Sequence, residues 1–560
     1  MKLTISEEII SEIIKSDAFK QWLKNRRWFG EKNLVNFDLN LQALYFFPNE
    51  FLIEIPSIDY TILFCAFSLV ADKKKDYFLP LCVLKSLDPL KNKINLDLIQ
   101  ERVLKLDLNN EFSGFSIFEA EFFPYFWTVL FNKYSEFNKS KEINCDLINN
   151  ELKDFSKIED VIDIQELGSA DTTNRVLKLN LRQSNIVIKS YRKFIPHVEI
   201  EAIRTLNKNK FLSVPKILGI ISFKSIEVVS IMNYIESESD LGLIYWNDLN
   251  DLLDFYRTNL GELIEGNSEK LNHQFEFKFK EFCDNSIQTS DKIGKFLKEM
   301  HNCLIDEESY DFKLEKINND TETYLYTQLK DLLSDIISSI NFLKDLEIIK
   351  SEEIVESIVG VSSKIDNKDY FLKLKDVKVQ RIHQDLHMAQ ILISKGYADS
   401  EYIITDFEGD PQLPLVDQKR KYPVEKDLAS FLRSLDYIKI FSLIDAIKAH
   451  YWEPSNQIAK KILLALYNNH LHDDIGEQDF KLLKNLMMIG ERWQKRISEL
   501  ITVSYYKSEE LSNMKKFLIN LFTIHRCLME INYEIRFRPK NVIVPYLGLR
   551  GIFLKEIFPD

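Results

Sequence analysis

A chain of 560 residues is too long for one hydrophobic core and divides by expectation into roughly two to four packed units. Its 45% hydrophobic and 28% charged residues are ordinary for a globular protein, which excludes bulk disorder. A formal net charge of −13 argues against a broad nucleic-acid surface, which needs a basic face, yet leaves room for one local pocket that takes an anionic nucleotide.

In chain order, MKLTISEEIISEIIK mixes acids into its apolar positions and lacks the core of a signal peptide. Thr4 with Glu7 reads as a capping box that opens a helix. The helical pattern runs into the basic-aromatic cluster NRRWFGEKN, and from Asp38 to Val83 it changes to strands rich in β-branched and aromatic residues. The most apolar tract, FFPYFWTVLFN from Phe122, is far shorter than a membrane span and contains a proline. The polar stretch SEFNKSKEINCDLINNELKDFSKIED then marks a domain boundary. The cysteines (Cys65, Cys82, Cys145, Cys283, Cys303, Cys527) are scattered with no CxxC pair, which fits a reducing compartment. A cytoplasmic protein with no membrane or nucleic-acid partner is expected.

Beyond the boundary, IQELGSADTTNRVLKLNLRQSNIVIKSYRKF reads as strand, loop, strand, turn, strand. A helix follows at HVEIEAIRTLNKNKF, then strands at VPKILGIISF and IEVVSIMNYI. From Trp246 helices dominate, with i, i+3, i+4 apolar spacing in NDLLDFYRTNLGELI and KIGKFLKEMHNCLI. Two short strands, QILIS and YIITDF, interrupt them before helices resume at Lys426. The order is a β-rich cap (residues 1–155), a small β-rich lobe with one helix (156–236) and a large helical lobe (237–560).

The interruption, RIHQDLHMAQILISKGYADSEYIITDFEGDP, sets acids among buried-looking strands. Phosphoryl transfer needs a carboxylate near the attacking hydroxyl and oxygen ligands for a magnesium ion that bridges the phosphates. Asp385 suits the first task, and Gln390 offers an amide oxygen five residues on. A hairpin of the two strands returns Asp406 beside Asp385, with Glu408 on the same side if the strand continues. A lone acid is more often a loop acid, and His383 with His387 invites a metal-hydrolase reading that the absence of HExxH disfavours. The ordered set of base, amide and acid favours the kinase-type site.

HQDLHMAQ followed by DFEGDP resembles the catalytic and metal loops of the aminoglycoside phosphotransferase-like kinases, and of maltokinases in particular, which typically carry HGDLHLGQ and DFEGEP. The family's glycine between His and Asp is Gln384 in this chain. The resemblance implies Asp385 as base, with His383 beside it in the catalytic loop, Gln390 and Asp406 as magnesium ligands and Glu408 as a supporting acid. KDLASFLRSLDYIK follows the family's RDVAGMLRSFDYA, with Asp427 and Arg433 expected to order the catalytic loop.

ATP binding needs a loop over the phosphates and a buried lysine. ELGSADTTNRVLKL supplies one glycine, Gly168, with Ser169, Thr172 and Thr173, and hydroxyl-rich loops of this kind bind phosphate through amides and hydroxyls. Lys189, at the end of NIVIK, points either into a cleft or out at an edge. The resemblance favours the cleft, with Glu199 as its partner and Glu201 as the other register. IMNYIESESD is then the hinge, its backbone from Met232 to Glu236 meeting the adenine, with Tyr234 equally placed to be core.

RRWFGEKN resembles the RWFGGK box of the maltokinase cap; on its residue types it reads as an aromatic anchor between cap and lobe. EINYEIRFRP resembles the family's closing YExxYEARxRP. Glu530 and Glu534 share one helix face with Tyr533 beside them, a set that suits a sugar's hydroxyls and apolar ring face. A solvated helix face is the plainer reading. The family's Glu-Lys pair falls on His525 and Arg526, and its first tyrosine on Met529, which puts the acceptor sugar in doubt. The expectation is an α+β, two-lobe, protein-kinase-like fold with an N-terminal β-rich cap and an ATP- and Mg2+-dependent sugar kinase. The family implies maltose as acceptor, giving maltose 1-phosphate, and association with trehalose synthase. The rivals are a kinase for glucosamine or another sugar, and a silent kinase-like module that binds trehalose synthase.

Overall fold

The computed structural model describes residues 5–32, 34–55, 58–71, 73–85, 99, 102–105, 114–147, 161–168, 173–182, 184–259, 268–340, 351–365, 374, 376–397, 400–410, 413–451, 455–471, 475–508 and 511–553. The chain forms two compact units, one of residues 1–203 with 215–236, the other of residues 204–214 with 237–560.

The first unit holds two antiparallel sheets. Strands β1 (Asp38–Phe46), β2 (Tyr60–Val70), β3 (Lys74–Leu84), β4 (Leu104–Lys105) and β5 (Ser116–Glu119) pair in the order β1-β2-β3-β5-β4. Strand β2 is apolar on both faces because both are covered. Successive side chains point to opposite sides of a strand. Leu63, Cys65, Phe67 and Leu69 therefore meet Ile13, Phe19 and Trp22 of the helices Glu7–Lys15 and Asp17–Lys24. Ile62, Phe64 and Ala66 enter a second core with Phe126, Trp127 and Leu130 of the helix Pro124–Asn132. The amino-terminal helix is capped by Ser6, whose hydroxyl accepts the Ile9 N–H at 3.5 Å. The expected cap, Thr4, lies outside the described residues. Ser16 opens a second helix by accepting the Phe19 N–H at 3.2 Å, so one expected helix is two.

The other sheet contains β6 (Ile143–Leu147), β7 (Val161–Glu166), β8 (Arg175–Leu181), β9 (Asn185–Ser190), β10 (Ile217–Phe223) and β11 (Ile226–Asn233), in the order β6-β10-β11-β9-β8-β7. The boundary expected at residue 155 lies outside the described residues. Strand β6, which precedes it, pairs with β10 from Leu147 opposite Gly219 to Ile143 opposite Phe223. Ile164, Leu177, Ile188 and Val229 of this sheet belong to the same core as Phe64 and Trp127, so the two sheets share their interior.

The second unit is mainly helical. Among the described residues its longest helices are Asn319–Ser339, Glu425–His450, Glu477–Tyr506 and Asn513–Phe537. Two small sheets sit among them: β12 (Ser237–Asp240) pairs with β15 (Ile391–Ser394), which pairs with β16 (Tyr402–Ile404), and β13 (Glu315–Lys316) pairs with β14 (Lys378–Val379). Gly294 lets two helices touch closely, since a Cβ there would stand 2.6 Å from the Ile501 carbonyl oxygen and from Ser504 Cβ. Gly294→Ala should therefore lower stability by about 1–3 kcal/mol through overpacking, measured by urea unfolding. An unchanged midpoint would show that these helices part easily. No helix among the described residues is long and apolar enough to cross a membrane.

Candidate active site

The hairpin expected from QILIS and YIITDF forms, with Ile391 opposite Ile404 and Ile393 opposite Tyr402. It brings together side chains sixteen residues apart in sequence. The Gln390 side-chain amide donates to Asp406 Oδ2 at 2.9 Å and faces His387 Nε2 at 3.3 Å. Burial pushes the His387 pKa below its ordinary value, while Asp385 and Asp406 both pull it upward, so both carboxylates lie within electrostatic reach of this ring. The neutral imidazole accepts the Gln390 N–H through Nε2.

The strand does not continue to Glu408, as the expectation required. It ends at Ile404, and Asp406 takes a left-handed φ of 67°. The turn at residues 407–408 carries Glu408, half-buried, away from the strand register. Gln384 is also left-handed, at φ 69°. A side chain in this region costs about 1–2 kcal/mol, so both conformations must be held by surrounding bonds. Asp427 supplies those of the Asp385 loop, with Oδ2 accepting the His383 N–H at 2.7 Å and Oδ1 the Gln384 N–H at 2.8 Å. His301 Nε2 lies 3.0 Å from Asp427 Oδ2, and its Nδ1 lies 2.7 Å from the Tyr505 hydroxyl. Burial alone would raise the Asp427 pKa, but the His301 hydrogen bond and the loop donors hold it below the ordinary value. It orders the loop as an anion.

His383, expected as a catalytic residue, instead turns its ring toward the adjoining loop. Its Nε2 is 2.9 Å from the Thr405 carbonyl and must be the protonated nitrogen, because a carbonyl only accepts. The ring packs on Phe407 with centroids 4.6 Å apart. His383 thus links the Asp385 loop to the Asp406 loop.

Asp385 meets one residue of the expected sugar pocket directly. Arg526 donates through NH1 to Asp385 Oδ1 at 2.8 Å and through Nε to Glu530 Oε1 at 2.9 Å. Glu530 Oε2 accepts from Arg433 at 3.1 Å and from the Tyr437 hydroxyl at 3.1 Å. Arg433 was expected to order the catalytic loop. It binds Glu530, the Val544 carbonyl at 3.3 Å and Asp436 at 2.8 Å, and so ties helices together behind Arg526. Tyr437 was not expected. Burial raises the pKa of Glu534, whose carboxylate accepts from Arg538 at 2.9 Å. Tyr533 packs tilted against Phe537, ring centroids 4.8 Å apart, with the Arg538 guanidinium 5.1 Å from its ring. The described contacts bring Arg526 and Glu530 to Asp385; they do not bring Tyr533 and Glu534 there.

A metal ion would find an oxygen donor in the Asp406 carboxylate and a second in the Gln390 amide once that side chain turns its oxygen, in place of the nitrogen now bonded to Asp406, toward the ion. Among the described residues no group of three or more His, Cys, Asp or Glu could hold a metal by itself. Two hard donors without a full cage fit magnesium, which keeps several waters and takes further oxygens from phosphates.

The first unit carries the lysine. Lys189 lies on β9 between β11 and β8, so it is no edge residue, and it is only 6% exposed. Its Nζ lies 3.0 Å from Glu199 Oε1 and 2.9 Å from Oε2, which selects Glu199 over Glu201. The Tyr191 hydroxyl also donates to Glu199, at 2.7 Å. Leu167 N–H donates to the Val176 carbonyl at 2.9 Å and closes the β7–β8 loop, in which Gly168 has φ 96°. Ser169 and Thr172 lie outside the described residues; Thr173 is exposed. In the expected hinge stretch, Met232 is buried opposite Val187, Tyr234 is half-buried with Lys178 Nζ 4.0 Å from its ring centre, and Glu236 is exposed.

A buried network anchors that loop. Trp28 Nε1 donates to Glu119 at 3.1 Å, Arg175 binds both Glu119 oxygens at 2.9 and 3.0 Å, and Arg192 binds Glu119 at 3.0 Å and Glu121 at 2.7 Å. Glu166 pairs with Arg175 and, at 2.6 Å, with Arg102. Trp28 is thus the anchor that the RRWFG cluster suggested.

A sheet with a buried lysine–glutamate pair and a helical unit built around a loop-and-hairpin pair of acids are the parts of a protein-kinase-like fold. No protein-family model matches the chain. Among solved structures it is similar to a glucosamine kinase in complex with glucosamine, ADP and inorganic phosphate, with TM-score 0.50 and 14% identity over 98% of this chain and 100% of that one. It is likewise similar to glucosamine kinase in crystal form B, with TM-score 0.52 and 13% identity over 97% of this chain and 99% of that one. At these identities the likeness is one of fold.

Proposed function

We propose that the protein is an ATP-dependent sugar kinase that phosphorylates a neutral sugar, maltose, at its anomeric hydroxyl. The observation that carries this reading is the Gln390–Asp406 pair, 2.9 Å apart on the hairpin that follows the Asp385 loop. Asp385 would accept a hydrogen bond from the sugar hydroxyl and take its proton as the hydroxyl attacks the γ-phosphate. Arg526 holds one oxygen of Asp385, which leaves the other for the acceptor. Lys189, fixed by Glu199, would meet the phosphates of ATP. Gln390 and Asp406 would hold magnesium, which when bound neutralises charge on the transferred phosphoryl group.

Charge around Asp385 supports a neutral acceptor. Glu530, whose carboxylate made an amino sugar attractive, is shared between the guanidinium groups of Arg526 and Arg433. An ammonium sugar brought to Asp385 would face the Arg526 cation. The solved glucosamine kinases share the fold, so glucosamine is the competitor to test. In a panel of sugars with ADP release as readout, maltose should be turned over at least about tenfold faster than glucosamine, the penalty of one uncompensated like-charge contact near a partly buried site. Turnover of glucosamine with maltose inert would overturn the maltose reading and keep the kinase. ATP binding without ADP release on any sugar would make the protein a silent module.

A further inference from the structure

The loop that carries Asp406 is gripped at both ends. At its start His383 Nε2 holds the Thr405 carbonyl at 2.9 Å. At its end the Gln418 side-chain amide donates to the Asp410 carbonyl at 2.9 Å. The Gln418 backbone carbonyl in turn accepts from the Gln384 side chain at 2.6 Å, and the same Gln384 nitrogen reaches the Arg420 carbonyl at 3.3 Å. Both glutamines are buried, 2% and 8% exposed, and both close on Gly409, where a Cβ would stand 3.4 Å from Gln418 Cβ and 3.7 Å from Gln384 Oε1. Gly409 has φ 74°, so the loop can turn beneath them. Gln384 immediately precedes Asp385 and is held left-handed, a conformation for which glycine is the easier residue. Glycine would give the turn without the clasp.

We infer that Gln384 and Gln418 form a clasp that sets the position of the magnesium-binding Asp406 loop relative to the base Asp385. The inference rests on the sugar-kinase reading for its catalytic meaning, but the clasp itself is a property of the fold. Gln384 and Gln418 are positioning residues. Neither has to touch substrate.

Two variants of the full chain test this. Gln384→Met keeps most of the volume and removes the donor; Gln418→Ala removes the link to Asp410. Each should raise amide hydrogen exchange across residues 405–410 by about tenfold, although neither substitution lies in that segment. Each should lower kcat by about tenfold, because a small displacement of a reacting group costs up to about 100-fold, with KM for the sugar changed less than about threefold. The double variant should be no slower than the slower single one, since both open one connection. Unchanged exchange at 405–410 would overturn the clasp whether or not the protein transfers phosphate. Losses of kcat that multiply, or that merely follow a fall in melting temperature, would overturn it as well. Raised exchange in the variants, with no ADP released by the wild type, would retain the clasp and reject the kinase reading instead.

Discussion

Asp385→Asn should cut phosphoryl transfer by a factor of ~100 or more and leave the fold intact. Asparagine keeps the shape of aspartate and an oxygen that can still accept from Arg526, so the 2.8 Å contact can persist. What is lost is the second carboxylate oxygen's capacity to take a proton from the attacking hydroxyl. Asp385 and Arg526 retain only 19% and 22% of their side-chain exposure, but Arg526 keeps Glu530 as a partner, so the loss of stability should stay below the about 3–5 kcal/mol of a fully broken buried pair. The measurement is single-turnover ADP formation with nucleotide affinity followed in parallel. Near-wild-type turnover would remove Asp385 from its role; loss of nucleotide binding together with turnover would point to a disturbed loop.

Glu119→Gln should lower stability by about 3–5 kcal/mol at neutral pH. Glu119 is fully buried and accepts from Arg175, Arg192 and Trp28, while both arginines are at most 3% exposed. Removing this one negative charge leaves two buried guanidinium groups short of a partner. Burial alone would raise the Glu119 pKa, but Arg175 and Arg192 overcome it and bring it down to about 2 from the ordinary 4.5. A carboxylate whose pKa is depressed by folding stabilises the protein above its unfolded pKa, and that stabilisation fades as the group protonates. The gap between wild type and variant should therefore be full above pH 4.5 and shrink as pH falls toward 2. Urea unfolding across that range measures it. A gap below about 1 kcal/mol at pH 7 would mean that the network contributes little.

The sequence made legible what is local and periodic. Alternating apolar strands, the lysine ending NIVIK and the two strands that join the Asp385 loop to the Asp406 loop all depend on short-range patterns, and the structure reproduces them. Arg526 and Glu530, four apart, already stood at ion-pair spacing on one helix. The missed features depend on distant pairings. Glu119 and Glu121 sit in FEAEFF, where two acids look like a solvated strand end, yet Arg192 reaches both from more than seventy residues away. Arg433 stands among apolar residues of its helix, and nothing in KDLASFLRSLDYIK names Glu530 as its partner. The strand that would have set Glu408 beside Asp406 stops at Ile404, and the left-handed Asp406 then turns the chain, a backbone choice that residue type does not announce. The glutamine at 384 stood out only against a glycine-bearing pattern, and its purpose depends on carbonyls more than thirty residues ahead.

Strand β6 carries one more consequence. It occupies the outer flank of β10, whose residues Ile217–Phe223 are nearly all buried. A shortened chain beginning after residue 155 would bare a row of apolar residues with open amide and carbonyl groups, a template for sticking to other molecules. The amino-terminal segment is thus no detachable accessory: whatever pared-down form of this protein is made, Ile143–Leu147 belongs with the sheet it guards.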